Sequence, residues 1–353
     1  MNAKIPVAIL GANGSVGQRF IQLLENHPWF EIRCLTGSDR TIGKPYTESC
    51  HWILPELMPE AVKTMVIQEN EAAAKGCRIA FSAMPADQAK DVEPALAAAG
   101  LAVVSNASAH RMDNDVPILL PEVNPEHTGL VEIQRKNHNR KGFIVTNPNC
   151  TSTGLTVSLK PILDAFGIEQ MIAVSMQALS GAGYPGVASM DIIDNVVPYI
   201  KGEEDKVETE PLKMLGKMSG DHIQNAQFAI SAHTNRVAVT DGHTVCVSLK
   251  LGRDVKPAEA IEAMRAYKCP AVSADLPSTP VPVIQIRDEA DRPQPRLDRA
   301  TGKGMTTSVG RVRVDPVMGL KYIVFSHNTI RGAAGGAIFN AELLVKQKLV
   351  ELG

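Results

Sequence analysis

Pro6-Val-Ala-Ile-Leu10-Gly11-Ala-Asn-Gly14-Ser-Val-Gly17-Gln-Arg-Phe-Ile-Gln-Leu-Leu24 decides the architecture. A short apolar run meets glycines at three-residue steps, and an apolar helical pattern follows. That order predicts a strand, a tight turn and a helix. Glycines at such a turn allow a sharp bend, close approach of a pyrophosphate, and close packing of helix on strand. The pyrophosphate would rest on the unpaired N–H groups of the helix start. Gly11, Asn13, Gly14, Ser15, Val16 and Gly17 are therefore candidate cofactor contacts. The spacing departs from Gly-x-Gly-x-x-Gly, and a glycine-rich turn without a ligand is the plainer alternative.

Reading onward, Phe30-Glu-Ile-Arg-Cys-Leu35 is a second strand, opening into Thr36-Gly-Ser-Asp-Arg40. A carboxylate at this point would accept a hydrogen bond from a ribose 2′-OH, whereas small residues and an Arg suit a 2′-phosphate. Ser38 and Arg40 favour NADP over NAD, with Asp39 as the residue that could argue otherwise. A helix near 70–75, a strand over 77–82, a helix over 86–99 and a strand over 101–105 continue the alternation. Strands alternating with helices predict an α/β fold with a doubly wound parallel sheet, a Rossmann-like unit. Arg111 follows the ligand-binding edge of that sheet, where a lone Arg gains weight from its position.

A second stretch carries the chemistry: Gly142-Phe-Ile-Val-Thr-Asn-Pro-Asn-Cys150-Thr-Ser-Thr-Gly154. Pro148 keeps Asn147 out of helical geometry, so the strand ends there and Cys150 falls at a helix start. Unpaired N–H groups and the helix dipole favour a thiolate, which predicts a lowered thiol pKa. The same groups, or Asn149, could receive an oxyanion. The alternative is a buried Cys packing as a small hydrophobe, but Pro-Asn before it and Thr-Ser-Thr-Gly after it make a polar turn.

Beyond a helix over 155–166, a strand over 170–177 ends at Gln177 beside the Gly-rich Ser180-Gly181-Ala-Gly183. Residues 186–220 read as a small helical excursion with a solvated charged face. Arg236 and His243 then flank a strand and turn, and a His just after a turn can titrate near neutrality. Strands over 244–249, 281–286, 310–314 and 321–325, with a helix over 257–267, predict a separate α+β domain. Residues 292–304 read as a loop, and a last helix spans 341–351.

Composition narrows the classes. The chain has 353 residues, 44% hydrophobic and 21% charged, with a formal net charge of −2 and no basic cluster. Two domains are expected, and nucleic acid is not an expected partner. Six Cys are scattered without metal-type spacing and read as reduced thiols of a cytoplasmic protein, with no metal site expected. No apolar run reaches the roughly 20 residues that span a bilayer, so no membrane partner is expected.

The ordered set Gly11-x-x-Gly-x-x-Gly17, Asn147-Pro-Asn-Cys-Thr151, Gln177 with Ser180-Gly-Ala-Gly183, Glu210-x-x-Lys213, Arg236-x6-His243 and Arg331-Gly-Ala-Ala-Gly-Gly336 resembles aspartate-semialdehyde dehydrogenases of the archaeal/fungal-type branch. The resemblance covers nearly the whole chain. It implies a glyceraldehyde-3-phosphate dehydrogenase-like architecture: an NADP-binding domain over 1–149, a catalytic and dimerisation domain over 150–326, and a C-terminal helix over 327–353 returning to the first domain. It implies Cys150 as acylated nucleophile, His243 as acid/base, and Gln177 as the group that positions the intermediate. Arg236 and Glu210 would grip the substrate's carboxylate and amine, and Arg111 and Lys213 its phosphate. Ser38, Arg40, Ser180, Gly181 and Asn340 would touch NADP. The reaction implied is NADPH-dependent reduction of β-aspartyl phosphate to aspartate semialdehyde, with release of phosphate, in a homodimer or homotetramer. N-acetyl-glutamyl-phosphate reductase, malonyl-CoA reductase and a non-catalytic NADP-binding regulator stay open as alternatives at this point.

Overall fold

The computed structural model describes residues 4–350, so the expected helix end at Glu351 and the outermost ends of the first and last expected segments lie outside the described residues. Apolar β-branched runs form the first sheet, with β1 (Ile5–Leu10), β2 (Phe30–Leu35), β3 (Ile79–Ser82), β4 (Ala102–Ser105) and β5 (Phe143–Thr146). They lie in the order β2-β1-β3-β4-β5, every neighbouring pair parallel. Parallel strands need crossovers. These are α1 (Ser15–Leu24), two one-turn helices α2 (Tyr46–Ser49) and α3 (Glu60–Lys63), α4 (Ala86–Ala98) and α5 (Leu130–His138). Successive strand residues face opposite layers: Val7 and Ile9 meet Phe20 and Ile21 of α1, while Ala8 and Leu10 meet Ala89 and Leu96 of α4.

The chain then enters α6 (Cys150–Phe166), which leads into the second sheet. Its elements are β6 (Ile168–Gln177), α7 (Ser189–Ile192), α8 (Glu203–Met214), the hairpin β7 (Lys217–Ser219) and β8 (His222–Gln224), β9 (Ala229–Arg236), β10 (His243–Leu251), α9 (Pro257–Ala266), β11 (Ile284–Arg287), α10 (Pro295–Asp298), β12 (Thr307–Asp315) and β13 (Gly319–Ser326). Six strands form a mixed sheet ordered β11-β12-β13-β10-β6-β9. One face is covered by residues of α6, α8 and α9, among them Leu155, Leu159, Val207 and Met264. The other is open, and along β6 burial alternates, with Ile172 exposed and Val174 and Met176 half-buried. Register sets Gln177 beside Arg236 and Thr244 beside Met176, so Gln177, Arg236 and His243 gather at one end of this sheet.

Two expectations need correction. The last helix, α11, runs Gly335–Lys346 rather than from 341, and follows a π-turn over Ile330–Ala334. Hydrogen bonds from Gly332 N to His327 O and from Ala334 N to Thr329 O carry the chain straight into it. Ala337, Ile338 and Ala341 then pack into the first sheet's core. Residues between Arg236 and His243 are also not a strand. Val239 O and Thr240 O accept from Leu179 N and Ser180 N, which ties this loop to the end of β6.

Candidate active site

Cys150 is the first residue of α6, and Asn149 is its N-cap. The Asn149 side-chain oxygen accepts from Thr151 N and Ser152 N at 2.9 and 3.3 Å. Two of the first-turn N–H groups expected to serve a thiolate or an oxyanion, those of Thr151 and Ser152, are thus already paired. Asn149 Nδ2 donates to Glu203 Oε2 at 2.8 Å, so Asn149 holds the frame of the site rather than an empty oxyanion pocket. Cys150 is half-buried and opens into a cleft of about 590 Å³. Its Sγ lies 3.1 Å from His243 Nε2. Gly332 makes room for it, because a Cβ there would come within 2.9 Å of Cys150 Cβ.

The thiol departs from expectation in a second way. Burial pushes its pKa up to about 12, with Glu203 acting in the same direction, while Arg111, Arg236 and Lys206 pull it down. Desolvation of the charged form therefore outweighs the helix start in this arrangement. His243 is pushed down to about 3 by burial first and the Arg236 cation second. Both shifts act in the same sense, favouring the neutral thiol and the neutral imidazole.

Three cations line the cleft beside Cys150: Arg111, Arg236 and Lys206. Arg236 Nη1 donates to Ala178 O at 2.7 Å, and among the described residues no carboxylate pairs with it. Arg111 donates to Asn147 O, Asn106 O and Glu210 Oε1, the last at 2.8 Å. Glu210 also accepts from Asn149 N at 2.6 Å. Glu210 is thereby the counter-ion and brace of Arg111, and both its oxygens are engaged within the protein. Lys213 is likewise occupied: its ammonium donates to the carbonyls of Arg111, Asp113 and Val116 at 2.7–2.8 Å. All three of its protons are spoken for, so it supports the Arg111 loop and does not face the cleft.

The pair that does face the cleft is one heptad earlier. Glu203 and Lys206 both line it and join at 2.7 Å. Gln177 Nε2 approaches the same Glu203 Oε2 at 3.4 Å. Burial opposes the Glu203 charge, but Lys206 and hydrogen bonds from Lys206, Asn149 and Gln177 outweigh it and hold the carboxyl below its ordinary value. Both Glu-x-x-Lys pairs lie on one helix at a seven-residue interval, so spacing alone does not separate them. Gly202, at φ +67°, immediately precedes α8, so Glu203 and Lys206 occupy the opening turn of that helix.

The cofactor side of the cleft is lined by Asn13, Gly14, Ser15 and Val16, with Ser180 and Gly181 opposite. Gly14 caps α1 without a side-chain hydrogen bond, and no acidic residue occupies the first turn, which leaves that helix start suited to an anion. A Cβ on Gly17 would come within 2.4 Å of Gly11 O, so this glycine serves close helix–strand packing. Asn13 Oδ1 is buried without a partner. An unsatisfied acceptor beside an uncapped helix start fits a dinucleotide with hydroxyl and phosphate groups. Ser38 and Arg40 are exposed beyond β2, on the same side as Asn13. Asn340 is not in the cleft: it is fully buried and donates to Leu119 O and Asn147 Oδ1. Asn328, missed in the sequence, lines the cleft, donating to Ser180 Oγ and accepting from Gly242 N. Arg331 is buried in an ion pair with Glu122. Among the described residues no group of three or more His, Cys, Asp or Glu could hold a metal ion, and no helix is long and apolar enough to cross a membrane.

Comparison with known proteins gives concordant matches. Residues 6–130 match the family model for a semialdehyde dehydrogenase NAD binding domain, and residues 159–331 that for a semialdehyde dehydrogenase dimerisation domain. The aspartate-semialdehyde dehydrogenase of Archaeoglobus fulgidus is 53% identical over 98% of this chain and 99% of its own length. That of Saccharomyces cerevisiae is 42% identical over 99% of this chain and 100% of its own. The crystal structure of the Candida albicans enzyme with NADP superposes with a TM-score of 0.90 at 41% identity, covering 99% of this chain and 100% of that one.

Proposed function

The chain belongs to the aspartate-semialdehyde dehydrogenase family, and from that premise we propose how its own residues carry out the family's reaction. The protein is an NADP-dependent, phosphorylating aspartate-semialdehyde dehydrogenase, and in the biosynthetic direction it reduces β-aspartyl phosphate to the semialdehyde. The single observation that carries the assignment of roles is the 3.1 Å approach of Cys150 Sγ to His243 Nε2 in a cleft lined by three cations.

Cys150 attacks the acyl carbon, and phosphate leaves into the field of Arg111 and Lys206. Arg236 binds the substrate carboxylate, for which its planar fork is suited and for which no internal carboxylate competes. Glu203, ionised and held by Lys206, Asn149 and Gln177, faces the substrate ammonium. Gln177 acts by fixing Glu203 and the adjoining strand end. Bound NADPH, held by Gly14–Val16, Ser180 and Gly181 with Ser38 and Arg40 at its 2′-phosphate, supplies the hydride that reduces the Cys150 thioester. The oxyanion formed on that carbon receives the His243 Nε2–H. Dimerisation is a property of the second domain, and we propose a homodimer or homotetramer working in the cytoplasm.

The test is phosphate-dependent NADP reduction with aspartate semialdehyde. Cys150→Ser should lose at least about 10³-fold in turnover while binding NADPH as before. Full activity in that variant would remove Cys150 from the mechanism.

A further inference from the structure

Helix α4 buries Ala89, Glu93, Leu96 and Ala97. Their spacing is that of an apolar helical stripe, and Ala89, Leu96 and Ala97 pack with Ala8, Leu10 and Val103 of the first sheet. Glu93 stands among them fully buried. A carboxyl in such a place is costly unless hydrogen bonds hold it. An apolar residue would serve packing alone, so the bonds that Glu93 makes are the feature to explain.

Its partners lie at the carboxyl ends of β3 and β4. Ser105 Oγ donates to Glu93 Oε1 at 2.7 Å. With its proton committed to Glu93, the same oxygen accepts the backbone N–H of Ala107 at 3.0 Å. Ser82, the register partner of Ser105, is the second hydroxyl acting on this carboxyl. Burial raises the Glu93 pKa, and the two hydroxyls, with His110 and Arg111, act against that rise.

The turn held in this way is the one on which Arg111 rests. Asn106 O accepts from Arg111 Nη2 at 2.7 Å, and Asn106 Oδ1 accepts from Asn147 Nδ2 at 2.9 Å. Asn106 is itself pinned by its N and Nδ2, both donating to Ser82 O at 3.0 Å. Asn106, Ala107 and Arg111 line the cleft beside Cys150, whereas Glu93 is sealed from it.

We propose that Glu93 is a positioning residue for the phosphate step: through the Ser105 hydroxyl and the Ala107 amide it fixes the turn that holds Arg111 in place for the phosphate. The inference rests on the reading of Arg111 as a phosphate contact. What Glu93 supplies is an acceptor for one hydroxyl proton, away from the reacting atoms. An Arg side chain is rotamer-rich, and binding weakens when such a side chain must first be ordered. The Arg111 bonds to Asn147 O and Glu210 remain without Glu93, so its loss should loosen the phosphate contact without abolishing the site.

The experiment uses the full-length protein and two readouts: calorimetric binding of inorganic phosphate, and the KM for phosphate in NADP reduction with aspartate semialdehyde. Glu93→Gln keeps an oxygen for the Ser105 hydroxyl and should leave both unchanged. Glu93→Leu removes that oxygen and should weaken phosphate by about 10-fold in Kd and KM alike, the size of one hydrogen bond. Its kcat should stay as in the wild type, as expected when a binding contact alone is lost. Ser105→Ala cuts the same chain at its next link without altering α4, so it carries the test even if Glu93→Leu does not fold. It should match Glu93→Leu, and the double variant should be no worse than either single change. A Glu93→Gln protein as impaired as Glu93→Leu would overturn the inference. So would Ser105→Ala binding phosphate like the wild type, whatever its melting temperature. Calorimetry needs no turnover, so it still decides the role of Glu93 if the acyl substrate is a different one. Unchanged phosphate binding in Arg111→Ala would sink the reading of Arg111 itself, and the inference with it.

Discussion

At the scale of single residues, two lysines on one helix separate catalysis from architecture. Lys206 is about one-third exposed at the cleft and pairs with Glu203, whereas Lys213 is buried and saturated by three carbonyls. Lys206→Met should raise the KM for phosphate by about 10- to 100-fold, the worth of one charge-assisted hydrogen bond, with little change in Tm. Lys213→Met should do the opposite, lowering stability by about 1–3 kcal/mol because buried carbonyls lose their donor. Initial-rate kinetics and thermal melts on both variants decide it, and equal kinetic losses would show the two sites to be misassigned. The sign of the pH effect follows from Glu203. Its carboxyl is held below the ordinary value, so its contribution is present above about pH 4.3 and fades as pH falls through the lower folded value. Lys206→Met removes the largest influence holding it down, so the acid limb of kcat/KM should move to higher pH.

Elements repeat the pattern at larger size, since what separates a helix that binds from one that packs is how closely its backbone can approach a neighbour. A Cβ on Gly17 would come within 2.4 Å of Gly11 O, and the clash is with backbone, which cannot swing aside. Gly17→Ala should therefore cost about 1–3 kcal/mol and weaken NADPH binding by tilting α1. Denaturant titration and fluorescence binding would show both, and an unchanged midpoint would contradict the packing role. The strand–Gly-turn–helix unit was legible because its periodicity and turn chemistry are local. Cys150 at a helix start was legible for the same reason, from Pro148 onward. The state of the thiol was not, because its burial and the charges of Glu203, Arg111, Arg236 and Lys206 around it come from segments far away in the chain. Nor was the choice between Glu203 and Glu210, since a seven-residue shift on a helix returns to nearly the same face. Asn340 was misplaced because α11 begins at Gly335 rather than at 341, so this residue lies inside the helix and donates to Asn147.

For the whole molecule, the open face of the six-stranded sheet sets the last expectation. Ile172 is 41% exposed in the middle of β6, and Val174, Met176, Cys246 and Ile323 extend the same face half-buried. A sheet covered on one side by α6, α8 and α9 leaves this surface for another molecule. The matched dimerisation domain spans residues 159–331, which include all of these positions. A second copy laid on the face would bury the β6 side chains at its centre, where binding energy concentrates. Ile172→Arg places an unpaired cation there, and burying a charge without a partner is costly. Sedimentation velocity should find the wild type heavier than one chain. The variant should dissociate at protein concentrations at least about 10-fold higher, the consequence of losing about 1.4 kcal/mol at the interface. Cys150 and His243 come from α6 and β10, both anchored in this sheet, so the dissociated variant should also lose turnover in proportion to its monomer fraction. An Ile172→Arg protein that sediments and turns over like the wild type would place the dimer contact elsewhere on the second domain.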